Sequence, residues 1–133
     1  MSVESSSPGM GRSIALVGGL GALVNSLIFV VGQNVGGMRI PYPMVPINSL
    51  GGAGFGGLIY LALLRYTKQP RGIFVGLSAV FLVLFGLLPF RLMSNPPPGA
   101  EPFNMTTVVA LEVMHLVSGA LAILLYIRVE KRP

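Results

Sequence analysis

The 133 residues are 53% hydrophobic and only 10% charged, against roughly a quarter charged in ordinary soluble domains, which excludes a soluble globular reading. The formal charge of +5 does not indicate a nucleic-acid partner, because nine basic residues scattered over short segments build no basic face. Cysteine is absent, so disulfides, iron–sulfur ligation and thiol chemistry are excluded as well.

What remains is four apolar blocks of about 20 residues, the length a helix needs to cross roughly 30 Å of hydrocarbon. The composition predicts an all-α membrane protein, a four-transmembrane-helix bundle. It forms a single domain over residues 13–128, between a flexible polar N-terminus at 1–12 and a basic tail at 129–133. The first residues include Ser5, Ser6 and Ser7 but lack a basic region and a cleavage site around a short apolar core. The first apolar block is therefore read as a retained span rather than a signal peptide.

Span one is expected over residues 13–32, after Arg12 and with Ser13 as N-cap. At helical spacing Gly18, Gly21, Ala22, Asn25, Phe29 and Gly32 share a face. Small residues let a second backbone approach, and Asn25 is then placed to hydrogen-bond across the contact or to take part in binding an ion or ligand.

The following segment, Gln33 to Ser49, carries Pro41, Pro43 and Pro46 and is expected to be extended, at the membrane interface, as a lid or a linker. Tyr42 and Met44 suit that level.

Span two is expected over 49–66, capped by Asn48 or Ser49. Its glycine-rich opening, Gly51 to Gly57, contains the close-packing pair Gly52 and Gly56. No Gly-Lys-Ser/Thr follows, so the likeness to a phosphate-binding loop is superficial.

Span three, 72–90, has Pro70 before it and Pro89 and Arg91 at its end; apolar all round, it is expected to be the most lipid-exposed helix. A second proline-rich loop, 92–105, holds Pro96, Pro97 and Pro98 in polyproline II form. Span four, 106–127, completes the bundle.

Arg12, Arg65, Lys68, Arg71, Arg128, Lys131 and Arg132 fall on one side of the membrane, and Arg39 and Arg91 on the other. Seven against two predicts an N-in/C-in protein with both proline-rich loops outside.

The chemistry-bearing residues lie in span four. Glu112 and His115 are the only acid and the only histidine within a long apolar run. Val108, Glu112, His115, Gly119, Ala122 and Tyr126 fall within about an 80° arc, and Gly119 marks that arc as a packing face. Because a lone charge at mid-span costs about 2.5–3.5 kcal/mol, Glu112 is expected either to stay protonated, to pair with His115, or to meet Asn25 or a metal. Asn25, Glu112 and His115 thus form the candidate intramembrane polar site, and Gly52, Gly56 and Gly119 the candidate packing positions.

These residues fit a polar clamp between helices one and four. They also leave open a proton or small-solute pathway, or a cofactor at His115 (haem, chlorophyll or a metal). Glu-x-x-His is a di-iron spacing, but such bundles use two copies and further carboxylates. The chain has no aspartate and no complete catalytic set, so no enzyme and no resident cofactor are expected.

Asn25 with the apolar stretch to Gly32, the proline-rich lead into Asn48 and Ser49, the link from Arg65 to Arg71, and Met114-His115-Leu116 together resemble a family of small bacterial four-span membrane proteins classed as a domain of unknown function. The resemblance runs from about Ser13 to Arg128. It implies a multi-pass protein of the bacterial cytoplasmic (inner) membrane, with Asn25 and His115 as the marked positions; Glu112 lies outside that pattern. It implies no activity. The expected function is that of a small non-enzymatic membrane protein, a helix-packing element or accessory subunit of a larger membrane complex or a homo-oligomer, with lipid as its surroundings.

Overall fold

A computed structural model describes residues 8–129, and the expectations for 1–7 and 130–133 lie outside them. Four helices follow in order, α1 (Pro8–Gly36), α2 (Met44–Tyr66), α3 (Pro70–Ser94) and α4 (Met105–Tyr126). Each is long and apolar enough to cross a bilayer, so the four-helix membrane bundle holds.

The helices overrun the expected spans, and prolines explain most of the difference. Pro8 opens α1, so Ser13 is not an N-cap; its hydroxyl donates to the Gly9 carbonyl instead, at 2.9 Å. α2 begins at Met44, with Pro43 at its N-cap and Pro46 inside its first turn. First-turn amides have no carbonyl partner within the helix, so Pro46 removes no bond there. The interhelical segment 37–43 is consequently far shorter than the extended loop the proline spacing suggested, and Asn48 and Ser49 lie within the helix rather than at its cap. Pro70 starts α3 rather than stopping α2, and α3 runs on through Pro89 to Ser94. Prolines inside spanning helices are tolerated where neighbouring helices cover the disturbed turn, and Pro89 is buried.

Turn chemistry fixes the ends on the side of the two proline-rich loops. Gly37, at φ +73°, takes the left-handed conformation that ends α1, its amide donating to the Gln33 carbonyl at 3.3 Å. The Met38 amide is satisfied by Gln33 Oε1 at 2.7 Å. Asn104 caps α4, accepting from the Thr107 amide at 2.8 Å.

α1 packs against α2 and α4, whereas α3 packs chiefly on α4 and more sparingly on α2; α1 and α3 are not in contact. α3 accordingly buries only Pro70, Phe74 and Pro89, as a helix apolar on every side should when it sits at the margin of a bundle. Burial concentrates in two clusters. One joins Met10, Val17, Ala53, Tyr60, Phe74 and Tyr126, and the other Met38, Val45, Ala110 and Met114. The outer faces carry exposed Leu, Val, Ile and Phe side chains, the surface that hydrocarbon rather than water would cover.

Candidate functional site

α4 presents different chemistry to its two main neighbours. Ala110, Met114 and Ser118 lie on one side, toward α1. Glu112, His115 and Gly119, about a quarter-turn or more away, lie toward α3.

On the α1 side, Asn25 is buried at 4% exposure. Its Nδ2 donates to Ser49 Oγ of α2 and Ser118 Oγ of α4, both at 2.9 Å. Ser49 passes its own proton to the Val45 carbonyl at 2.9 Å. Gly21 lies beside this junction, where a Cβ would stand in ordinary contact, 3.8 Å from both Ser118 Oγ and Ser49 Cβ. One amide thus joins three helices at mid-span. Interhelical bonds of this kind contribute about 0.6–2 kcal/mol each in membranes.

On the α3 side, Glu112 and His115 meet a groove made by Phe85 and Gly86. A Cβ on Gly86 would lie 2.9 Å from Glu112 Oε2, so the carboxyl group in its present position lies directly against the glycine. The His115 ring sits 6.3 Å from the Phe85 ring, centroid to centroid. One turn further on, a Cβ at Gly119 already belongs to a packed contact, since it would lie 3.2 Å from the Leu82 methyls if larger than hydrogen were placed there. Glu112 Oε1 and His115 Nδ1 are buried with no hydrogen-bond partner. No hydrogen bond among the described residues joins Asn25 to Glu112 or His115, so the three candidate residues divide into two sites, Asn25 on the α1 side of α4 and Glu112 with His115 on its α3 side.

The packing glycines divide similarly. Gly56 approaches the Tyr126 ring, with its Cβ position 3.5 Å from Cε2. Gly52 is exposed, with nothing within 4 Å of the corresponding position. Its neighbour Gly57 makes the close crossing, where any Cβ would collide with Ile14 of α1. The space so created admits Tyr126, whose hydroxyl donates to the Ala53 carbonyl at 2.6 Å while its ring packs with Tyr60 and Phe74.

A family model matches residues 5–132 of the chain. The chain belongs to DUF6069, a family of unknown function. No curated protein and no solved structure matches it. What this DUF6069 chain does must therefore be argued from its own side chains.

Sequence reading missed three groups in this DUF6069 bundle. Ser49, expected as a cap, and Ser118 are both acceptors for Asn25. Asn104 gave an available signal, an Asn three residues before Thr107 at the head of an apolar run. Its Nδ2 donates to the Gly36 and Gly37 carbonyls at 3.0 and 2.8 Å, while its Oδ1 also accepts from Thr107 Oγ1 at 2.6 Å. Thr107 Oγ1 in turn accepts from the Arg39 amide at 2.9 Å. These bonds tie the end of α1 and the segment that follows it to the head of α4.

Among the described residues no group of three or more His, Cys, Asp or Glu side chains could hold a metal. Two surface depressions, of about 430 Å³ along Lys68 to Gly72 and about 300 Å³ along Ala79 to Leu84, include neither polar site.

Proposed function

We propose that this DUF6069 protein is a non-enzymatic helix-packing subunit of the bacterial inner membrane, acting as an accessory partner in a larger membrane complex or as a homo-oligomer. One observation carries this reading: the Asn25 amide donates to Ser49 and Ser118, and the Tyr126 hydroxyl to the Ala53 carbonyl, from helix to helix rather than into a substrate-sized cavity. The outward faces of α1, α2 and α3 are left apolar and broad. Such faces suit lateral association as well as lipid, because helix association in a membrane rests on shape and small residues rather than on water exclusion. The exposed glycines Gly19 and Gly52, with open space at their Cβ positions, supply room for a neighbouring backbone.

Seven basic residues on one side against two on the other support N-in/C-in threading. In that arrangement the knot of Arg39, Glu101 and Asn104 faces outward.

Extraction in mild detergent, followed by size measurement and mass spectrometry of co-purifying chains after in-membrane crosslinking, tests the assignment. Stoichiometric partners or a defined homo-oligomer are expected. A monomer that crosslinks to nothing would refute it.

A further inference from the structure

The Glu112 and His115 side chains are not accounted for by helix packing alone: the Glu112 carboxyl group lies against Gly86 of α3, and its Oε1 and His115 Nδ1 are buried without a hydrogen-bond partner. Both residues lie near the middle of the 22-residue α4, where a charge without a counter-ion is costly.

No counter-ion is at hand on the elements packed around them. From α3, Arg71 is fifteen residues from Gly86, about 22 Å along the axis, and Arg91 is exposed. From α1 the only ionisable side chain in the described helix is Arg12, at its opposite end from Gly36. From α2 come Tyr60, Arg65 and Tyr66, all in its second half; Tyr60 packs on Phe74 and Tyr126 at the end of the bundle away from Gly86. On α4 itself Tyr126 is bonded to Ala53. The Arg39–Glu101 pair belongs to the loops.

Neutral forms solve the problem. A neutral carboxyl group has one O–H to donate, and a neutral imidazole has one nitrogen lone pair to receive it. Glu112 Oε1 and His115 Nδ1, each buried and without a hydrogen-bond partner, are complementary in that sense. They come from residues three apart, neighbours on one helix face.

We infer that Glu112 and His115 form a proton-holding dyad inside the α3–α4 contact, a carboxylic acid and an imidazole sharing one exchangeable proton directly or through a water. Transfer from the carboxyl oxygen to the imidazole nitrogen yields a carboxylate and an imidazolium, with no other atom gained or lost. Two ligands are too few for a metal, which leaves the proton as the occupant these groups can hold. The site is independent of the accessory role proposed above.

The test uses the full chain in phosphatidylcholine vesicles with dicyclohexylcarbodiimide, a lipid-soluble reagent for protonated carboxyl groups. The carboxyl proton moves to a carbodiimide nitrogen while the carboxyl oxygen bonds the central carbon, so the whole reagent adds. Peptide mass spectrometry should find the adduct at Glu112, falling severalfold as pH rises, and none in Glu112→Gln. His115→Gln should displace the half-labelling pH by about one unit or more, an interaction energy of about 1.4 kcal/mol. Infrared difference spectra between wild type and Glu112→Gln supply a readout independent of reagent access, and should show a carboxylic-acid C=O band that shifts in D₂O. Absence of that band, or a half-labelling pH unchanged by His115→Gln in a variant of native size and helicity, would overturn the dyad.

Discussion

Asn104 holds α4 to α1 through both ends of its amide: Nδ2 donates to the Gly36 and Gly37 carbonyls at 3.0 and 2.8 Å, and Oδ1 accepts from the Thr107 amide at 2.8 Å. A helix cap and an interhelical tie are the same side chain. Asn104→Ala should therefore cost more than an ordinary cap, about 2–3 kcal/mol from one cap at ~1 and two lost carbonyl bonds. Asn104→Asp, which keeps the acceptor and loses the donors, should fall between the two. Unfolding midpoints in detergent would rank the three proteins, and equal midpoints for Asp and Ala would remove the tie from consideration.

Gly36 is hemmed in by Thr106, whose Cβ would stand 3.0 Å from a Cβ placed on the glycine and whose hydroxyl would be closer still. Gly36→Ala should destabilise by about 1–3 kcal/mol through overpacking. The second-site change Thr106→Ser retains the offending hydroxyl and should recover little, whereas Thr106→Gly should recover most of the loss. A pair of losses that simply add would show that the two positions do not touch.

The Asn25 hub predicts coupling between helices. Asn25→Ala should lose about 1–2 kcal/mol, and Ser49→Ala or Ser118→Ala less. A double-mutant cycle between Asn25 and Ser118 should return at least ~0.5 kcal/mol of interaction. Additivity across that cycle would mean that the bond contributes nothing net.

Tyr126→Phe removes one hydroxyl bonded to the Ala53 carbonyl at 2.6 Å and leaves the ring contacts intact. A loss of about 1 kcal/mol is expected, smaller than that from Tyr126→Ala, which also empties the space beside Gly56. The exposed Arg39–Glu101 pair, with side chains 42% and 81% exposed, gives a contrasting case. Glu101→Gln should change stability by less than ~1 kcal/mol, whereas Thr107→Val, which strands the Arg39 amide, should cost more. Thermal unfolding of the four variants checks the order.

Threading can be tested because the chain has no cysteine. Single cysteines at Gln69 and at Gly99, each in a loop, should react from opposite sides of sealed vesicles, Gly99 from the outside. Labelling of Gln69 from the outside would reverse the assigned orientation.

Helix number and apolar faces were legible in the sequence because four long hydrophobic runs leave a membrane chain few alternatives. Helix ends were less so. Pro46 and Pro89 read as breakers, yet one falls in a first turn where no amide bond is lost and the other is buried within the continuing helix. Asn25 announced a contact between helices, but its serine partners were ambiguous, since serine also caps, lines and merely fills. Of the expected glycine pair, Gly52 meets nothing, and the close crossing falls at Gly57, one position beyond Gly56, because small residues at adjacent positions mark two faces about 100° apart and only the neighbour's shape chooses between them. The division of Glu112 from Asn25 depended on which side of α4 each neighbour occupies, a property of the assembled bundle.

The absence of contact between α1 and α3 bears on how the chain is made. A ribosome delivers α1 and α2 first, and these can pair at once. α3 then emerges before α4, its chief companion, exists, and has only its sparse contact with α2 to hold it in lipid. Its uniformly greasy surface is what that interval requires. The segment with the acid and the imidazole arrives last, when both of its docking faces are already in place to receive it.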